Sequence, residues 1–568
     1  MDRLFNDNWT FGLYTLEATA EELLAGSDAH RTEDFAPVDL PHDWLICNAK
    51  DLYRDGIGCY RKTFSVNLHE GTYPLQSPRY FLRFEGVYMD SRCYLNGREV
   101  FTWPYGYSTF EFEITPYLRD GDNELLVTVR YESPNTRWYS GAGIFRNVWL
   151  QVKQDPCLVA DGIYAVATPV CEARNEDGVF PGESVLSVDT EIHSAIDGHR
   201  VSIQEPVTEQ TVLLRQTIRD ACGNIIVSSD DEFSFTGTST VRTQTLTVQG
   251  AHAWDIDSPY LYTLTTELFL PWGCPREYVP LDSHTQRIGF RSVRLDPDNG
   301  FFLNGRHVKI CGACMHHDLG ALGAAVNKAA TKRQLLSLLS MGVNAVRTSH
   351  NPPSVEFMDL CDELGILVDS EAFDMWELHK TDHDYAAFFR DHWKADVASW
   401  IRRDRSRPSV VFWSIGNEIY DTHTERGLIV TRELRDEVRR HDFRHHAFIT
   451  IGSNYVAWEG AQRCADLLEA SGYNYLERLY DEHHTRYPHW NIYGSETSST
   501  VQSRGVYHFP ADVRLLTFED GQCSSLSNCS TNWGAKNPTV VITGDRDAEF
   551  SLGQFIWTGW DYIGEPTP

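Results

Sequence analysis

Two stretches of this sequence run through apolar residues and stop on a carboxylate. Val410-Val411-Phe412-Trp413-Ser414-Ile415-Gly416 leads into Asn417 and Glu418, and Ile492-Tyr493-Gly494-Ser495 leads into Glu496. Unbroken β-branched and aromatic runs of this kind read as strands buried on both faces, the strands of a parallel sheet. In a parallel barrel, chemistry sits at the C-terminal tips of the strands. Two carboxylates facing one cavity can cleave a glycosidic bond when they stand about 5–5.5 Å apart, one attacking the anomeric carbon while the other protonates the leaving oxygen. The proton donor needs a raised pKa, which partial burial and a neighbouring anion supply.

Such a pair needs a scaffold that brings distant strand tips together. From residue 292 onward, short apolar strands alternate with amphipathic helices such as residues 332–339 and 354–361, the pattern of βα units. Eight strands are expected: Val308–Ala313, Ala345–His350, Leu367–Ala372, Val410–Glu418, Phe448–Ser453, Ser471–Tyr475, Ile492–Glu496 and Gln554–Trp560. Eight is the number that closes a (β/α)8 TIM barrel, and it places Glu418 and Glu496 on strands four and seven, across the central cavity from one another. No eighth helix follows before Pro568, so the expectation is a barrel that lacks its last helix in this chain and is closed by a continuation.

Residues 1–157 show short alternating runs, with a hairpin signal at Asn96-Gly97, and predict a jelly-roll-like β-sandwich. Residues 158–291 continue the alternation at a size that suits an immunoglobulin-like sandwich. The chain is thus multidomain, with residues 292–568 as the barrel. At 568 residues, three or four cores are expected.

The formal charge of −30 argues against nucleic acid and anionic membranes as partners and says little about a neutral sugar. The 16 tryptophans suit stacking on pyranose faces, although sandwich cores absorb many of them. The N-terminal residues form no apolar signal core and no run approaches the length of a membrane span, which predicts a cytoplasmic protein. Thirteen scattered cysteines fit reduced thiols. Cys311 and Cys314 read as core thiols of a strand, with metal binding the second reading.

The chain resembles glycoside hydrolase family 2, the β-galactosidase and β-glucuronidase group, over its whole length. The motifs that carry the resemblance are Leu40-Pro41-His42-Asp43-Trp44, Ser140-Gly141-Ala142-Gly143-Ile144-Phe145-Arg146, and Arg347-Thr348-Ser349-His350-Asn351-Pro352-Pro353. Trp413 through Glu418 and Gly494-Ser495-Glu496-Thr497 complete them. The resemblance implies a retaining exo-β-glycosidase with Glu418 as general acid/base and Glu496 as nucleophile. It further implies that Asn417 bonds the sugar 2-hydroxyl, that His316, His350 and Asp161 contact sugar, and that Tyr475 positions the nucleophile. Trp557 would be the stacking platform, with Asp374 and Trp376 as additional contacts. Family members associate through their sandwiches, so a homo-oligomer is expected. A non-catalytic flavin nucleotide occurs in some uronate-cleaving relatives, and no residue here marks a site for one.

Magnesium-dependent β-galactosidases of that family carry a Glu-x-His pair after strand three. Here the segment reads Glu371-Ala372-Phe373-Asp374-Met375-Trp376-Glu377, so no catalytic metal and no required cofactor are expected. The missing pair favours a β-glucuronidase, with a β-galactosidase as the alternative and a catalytically silent carbohydrate-binding protein as the alternative of another class. The uronate-gripping loop of the family would follow Pro568.

Overall fold

The computed structural model describes residues 2–68, 78–194, 210–235, 238–272, 277–499, 505–511, 513, 515, 517–526 and 538–563. Eight parallel strands close on themselves. They are β1 (Ile310–Met315), β2 (Ala345–Thr348), β3 (Leu367–Glu371), β4 (Val410–Asn417), β5 (Phe448–Ser453), β6 (Ser471–Asn474), β7 (Ile492–Thr497) and β8 (Gly553–Ile556). Each strand pairs with the next, and β8 pairs with β1 through Ile310 opposite Gly553 and Ala313 opposite Ile556. Every residue of β2, β3, β4, β6 and β7 is buried, as strands covered on both faces require. The expected absence of an eighth helix falls on residues 564–568, outside the described residues.

Most of the expected strand ends shift by one residue or more, Ala345–His350 stopping at Thr348 among them, and two of the shifts change which residues lie in the barrel. Val308 is not in the barrel, because its backbone bonds Phe301 beside a small hairpin, Gly300–Leu303 with Arg306–His307, at the foot of the barrel. Strand β8 ends at Ile556, which leaves Trp557 beyond the strand at the mouth. The Cys311 and Cys314 side chains part company on β1: Cys311 is exposed, and Cys314 is buried against Ser495 and Arg347. Among the described residues, no helix is long and apolar enough to cross a membrane.

The first sandwich has a six-stranded and a four-stranded antiparallel sheet. The Asn96-Gly97 turn joins Ser91–Leu95 to Arg98–Trp103, both turn residues taking positive φ (53° and 83°), as a two-residue hairpin loop of this hand demands. The second sandwich packs three strands against four. Its core is an independent apolar cluster that includes Leu186, Val212, Leu214, Leu246 and Leu264.

The motifs that resemble the family's are mostly joints. Asp43 is buried and accepts from the backbone of Leu45 (3.1 Å), Ala142 (3.0 Å) and Ala324 (2.9 Å) and from the Tyr139 hydroxyl (2.7 Å). Ala324 lies after β1, so one carboxylate ties the sandwich loop at 140–146 to the barrel. Arg146, also buried, donates to the carbonyls of Tyr107 (2.9 Å), Pro352 (2.8 Å) and Pro353 (3.2 Å), the last two after β2. Asp43→Ala strands several buried donors, each costing about 1–3 kcal/mol. It should lower the unfolding temperature of the sandwich by about 6–12 °C, taking a loss of ~3 kcal/mol in a unit of this size. Differential scanning calorimetry reads this directly, and an unchanged first transition would show that Asp43 is dispensable to the joint.

Candidate active site

Strand β4 reaches the barrel mouth with Asn417 and Glu418. Gly416 is required by close approach, since a Cβ there would meet the Ile419 side chain at 2.7 Å and the Trp376 indole nitrogen at 3.0 Å. Glu418 takes a left-handed backbone (φ 45°), held by its N–H on the Gly452 carbonyl of β5 at 2.8 Å. A non-glycine residue in that region is strained, and such strain gathers at functional sites. Across the mouth, Glu496 lies on β7 with its carboxyl 5% exposed, against 13% for Glu418.

One cation organises the interior. Arg347, on β2 and without solvent exposure, donates to Glu496 Oε1 (2.9 Å), Glu371 Oε2 (2.6 Å) and Asn417 Oδ1 (2.9 Å). Asn474 on β6 then donates to Asn417 Oδ1 (3.0 Å) and Glu418 Oε1 (3.2 Å). A continuous run of hydrogen bonds therefore links Glu496 to Glu418 through Arg347, Asn417 and Asn474. Tyr475 donates its hydroxyl to Glu496 Oε2 at 2.9 Å. Burial, then the charge of Glu418, raises the pKa of Glu496, while Arg347 and Tyr475 pull it back down. Arg347 and Tyr475 each place a donor on the Glu496 carboxyl, which favours its ionised form against burial.

A second cluster faces Glu418. Asp374, after β3, accepts from Arg137 (2.7 Å), Lys380 (2.8 Å) and Asn417 (2.9 Å). Burial opposes ionisation of this carboxyl, but Arg137 and Lys380 overcome it and hold its pKa well below the usual range. Arg137 comes from the first sandwich and also reaches Glu418 Oε2 at 3.3 Å. His350 places Nδ1 2.6 Å from Glu371 and Nε2 3.3 Å from the Asn417 amide nitrogen, the pattern of a neutral ring that donates through Nδ1 and accepts through Nε2. Burial lowers its pKa, in keeping with that assignment.

Aromatic rings close the rim. Trp557 stacks on His350 (5.4 Å between centroids, 2° between planes), and His316 stacks on Trp138 (5.0 Å, 27°) and meets Trp557 edge-on at 5.2 Å. Flat rings beside acceptors and donors form the lining expected of a sugar pocket.

The structure thus brings together Glu418, Glu496, Asn417, Asp374, His316, His350, Tyr475 and Trp557. It does not bring Asp161 there: that side chain pairs with Arg83 at 3.0 Å in a separate crevice. Nor is Trp376 open to a ligand, since it is fully buried and donates to the Ile415 carbonyl at 3.0 Å. Sequence reasoning passed over Arg347, Glu371, Asn474, Lys380, Arg137 and Trp138. Arg347 had a signal, a lone arginine inside a buried strand, because such a charge needs several anionic partners around it.

Comparisons with known proteins bear on the whole chain. The family models matched are those of glycosyl hydrolases family 2: the sugar binding domain over residues 33–154, the family 2 domain over 186–291 and the TIM barrel domain over 293–487. A β-galactosidase of Bacteroides ovatus is 35% identical, with 99% of this chain and 68% of that protein covered. A β-glucuronidase of Bacteroides fragilis is 26% identical, covering 99% of this chain and 76% of that one. A crystal structure of a family 2 member from Bacteroides cellulosilyticus superposes with a TM-score of 0.80 at 29% identity, over 99% of this chain and 65% of that one. The chain therefore spans about two thirds to three quarters of these relatives.

Proposed function

The chain belongs to glycosyl hydrolase family 2, and from that premise we propose that it is an exo-acting, retaining β-glycosidase whose terminal sugar is neutral, of the β-galactoside type. The observation that carries the reading is the hydrogen-bonded run from Glu496 through Arg347, Asn417 and Asn474 to Glu418. It fixes two carboxyls of unlike surroundings in one mouth. Glu496, oriented by Arg347 and Tyr475, attacks the anomeric carbon. Glu418, the more open carboxyl, gives its proton to the leaving oxygen and takes one back from the water that frees the sugar. Asn417 turns its amide toward the same space as Asp374 and His350, where sugar hydroxyls would exchange partners with them. Trp557 offers its ring to the sugar's C–H face. The two carboxylates supply nucleophile and acid between them, so the proposed reaction draws on no metal or organic cofactor.

What supports a neutral sugar is how the nearby cations among the described residues are engaged. Arg137 is held by Asp374 and Glu418, Lys380 by Asp374 and the Asn417 carbonyl, and Arg347 by Glu371 and Glu496. Among the described residues, a uronate carboxylate would compete for these cations with carboxylates that already hold them. The 35% identity to a β-galactosidase agrees with that direction and departs from the glucuronide expected on sequence. On purified protein, kcat/KM for nitrophenyl β-galactoside should exceed that for the β-glucuronide by about 10²-fold or more. Proton NMR of the nascent product should show the β-anomer first. Faster glucuronide turnover would reverse the sugar assignment, and an α-anomer appearing first would reject the double displacement.

A further inference from the structure

The two sides of the barrel mouth are unlike. His316 follows β1, His350 follows β2, Asp374 follows β3 and Trp557 follows β8, so the groups proposed to hold the terminal sugar gather on one side. Glu418 stands at the end of β4 and gives its proton to the leaving oxygen. Whatever leaves is therefore directed away from that side, toward the rim above β4 and β5.

That rim carries aromatic rings. A short turn, Tyr420–His423, follows β4, and Tyr455 and Trp458 follow β5. Tyr420 meets Tyr455 at 6.2 Å between centroids, and His423 lies 4.5 Å from both Tyr455 and Trp458. Trp458 is 59% exposed and Tyr420 42%, with Tyr455 half-buried between them. Exposed apolar groups gathered into one patch mark a binding surface. Gly460 lets the two loops close on each other, since a Cβ there would meet the Thr422 carbonyl oxygen at 2.6 Å and the His423 Cα at 3.1 Å. The patch joins the site at two points. The Tyr420 ring is 5.8 Å from the Lys380 ammonium, which itself donates to Asp374 (2.8 Å) and to the Asn417 carbonyl (2.9 Å). Burial, then the charge of Glu418, raises the pKa of Tyr455, so that phenol stands within electrostatic reach of the proton donor.

The make-up of the patch selects its occupant. Two phenol hydroxyls and an imidazole interrupt the apolar ring faces with polar edges. A hydrocarbon spread over them would leave those edges without partners, whereas a pyranose offers apolar C–H faces and a rim of hydroxyls. Resting on Glu418 as the acid, we propose that Tyr420, Tyr455 and Trp458 form the subsite for the leaving group, and that it takes a neutral pyranose. The substrates are then β-linked di- or oligosaccharides, cut at their terminal sugar, and contacts made to the second sugar raise kcat/KM from outside the reacting centre.

The test compares kcat/KM of the whole chain on two kinds of substrate. One is the set of galactosyl-glucose disaccharides with β-1,3, β-1,4 and β-1,6 links, and the other is β-galactosyl fluoride, whose one-atom leaving group does not reach the rim. Trp458→Ala, a change at an exposed position, should lower the disaccharide-to-fluoride ratio about 10-fold or more on the best-cleaved linkage. Trp458→Phe keeps a flat ring and should recover part of that loss, and Tyr420→Leu should lower the same ratio. If neither Trp458→Ala nor Tyr420→Leu moves the ratio, the rim is not the leaving-group subsite. A wild type that cleaves the fluoride and none of the disaccharides also overturns it. A wild type that turns over neither kind of substrate rejects the galactoside reading itself, and the subsite with it.

Discussion

Glu496→Gln should reduce kcat by about 10⁴-fold or more, the scale on which loss of a nucleophile is felt, while leaving substrate affinity within a few-fold of wild type. The amide keeps the shape of the carboxyl but cannot form the glycosyl ester. Glu418→Gln should behave differently, because general acid catalysis is worth about 10²–10⁴-fold and depends on the leaving group. With an aryl leaving group that departs without a proton, the first step should survive and the second should slow, so that a covalent sugar–enzyme species accumulates. Intact-mass spectrometry of Glu418→Gln after mixing with dinitrophenyl galactoside should show that adduct, and Glu496→Gln should show none. The reverse pattern would exchange the two roles.

Arg347→Met is the second large effect, and it reaches both stability and pH behaviour. Arg347 neutralises Glu371 and Glu496 inside the barrel, and removing one partner of a buried ion pair costs about 3–5 kcal/mol. The sign of the pH effect follows from the surroundings of Glu496. Burial and the Glu418 charge raise its pKa, and Arg347 opposes them. Without the cation the pKa rises further, so the ionised nucleophile is lost at a higher pH and the acid limb of kcat moves toward alkali. A carboxyl whose folded pKa exceeds its unfolded one makes the folded state the better proton binder. The stability deficit of Arg347→Met relative to wild type should therefore grow only above the already raised wild-type value, as pH climbs from there through the variant's still higher one. Calorimetry and a pH–rate profile on the same variant measure both. An acid limb that stays in place would mean that Arg347 does not govern Glu496.

What could be read from sequence was whatever repeats or ends visibly. Apolar strands alternating with helices give eight barrel strands, and carboxylates at two strand ends give Glu418 and Glu496, because both patterns are local. Asp161 misled because an acid in a polar turn within a strand looks the same wherever the strand leads, and the bulge that carries it away is a matter of register. Trp376 has the right position after β3, yet its indole turns into the wall to satisfy the Ile415 carbonyl. Arg137 was out of reach for another reason: it is 281 residues from Glu418 in sequence and on another domain, so only the docking of sandwich on barrel makes it a neighbour.

That reach of Arg137 also bears on how the molecule comes into being. Sandwich segments leave the ribosome first and fold as a unit, at about 5–20 residues per second of synthesis. The nascent chain then carries a guanidinium waiting for carboxylates that have not yet been made. The cluster around Glu418 is therefore complete only once the barrel has met the sandwich that carries Arg137.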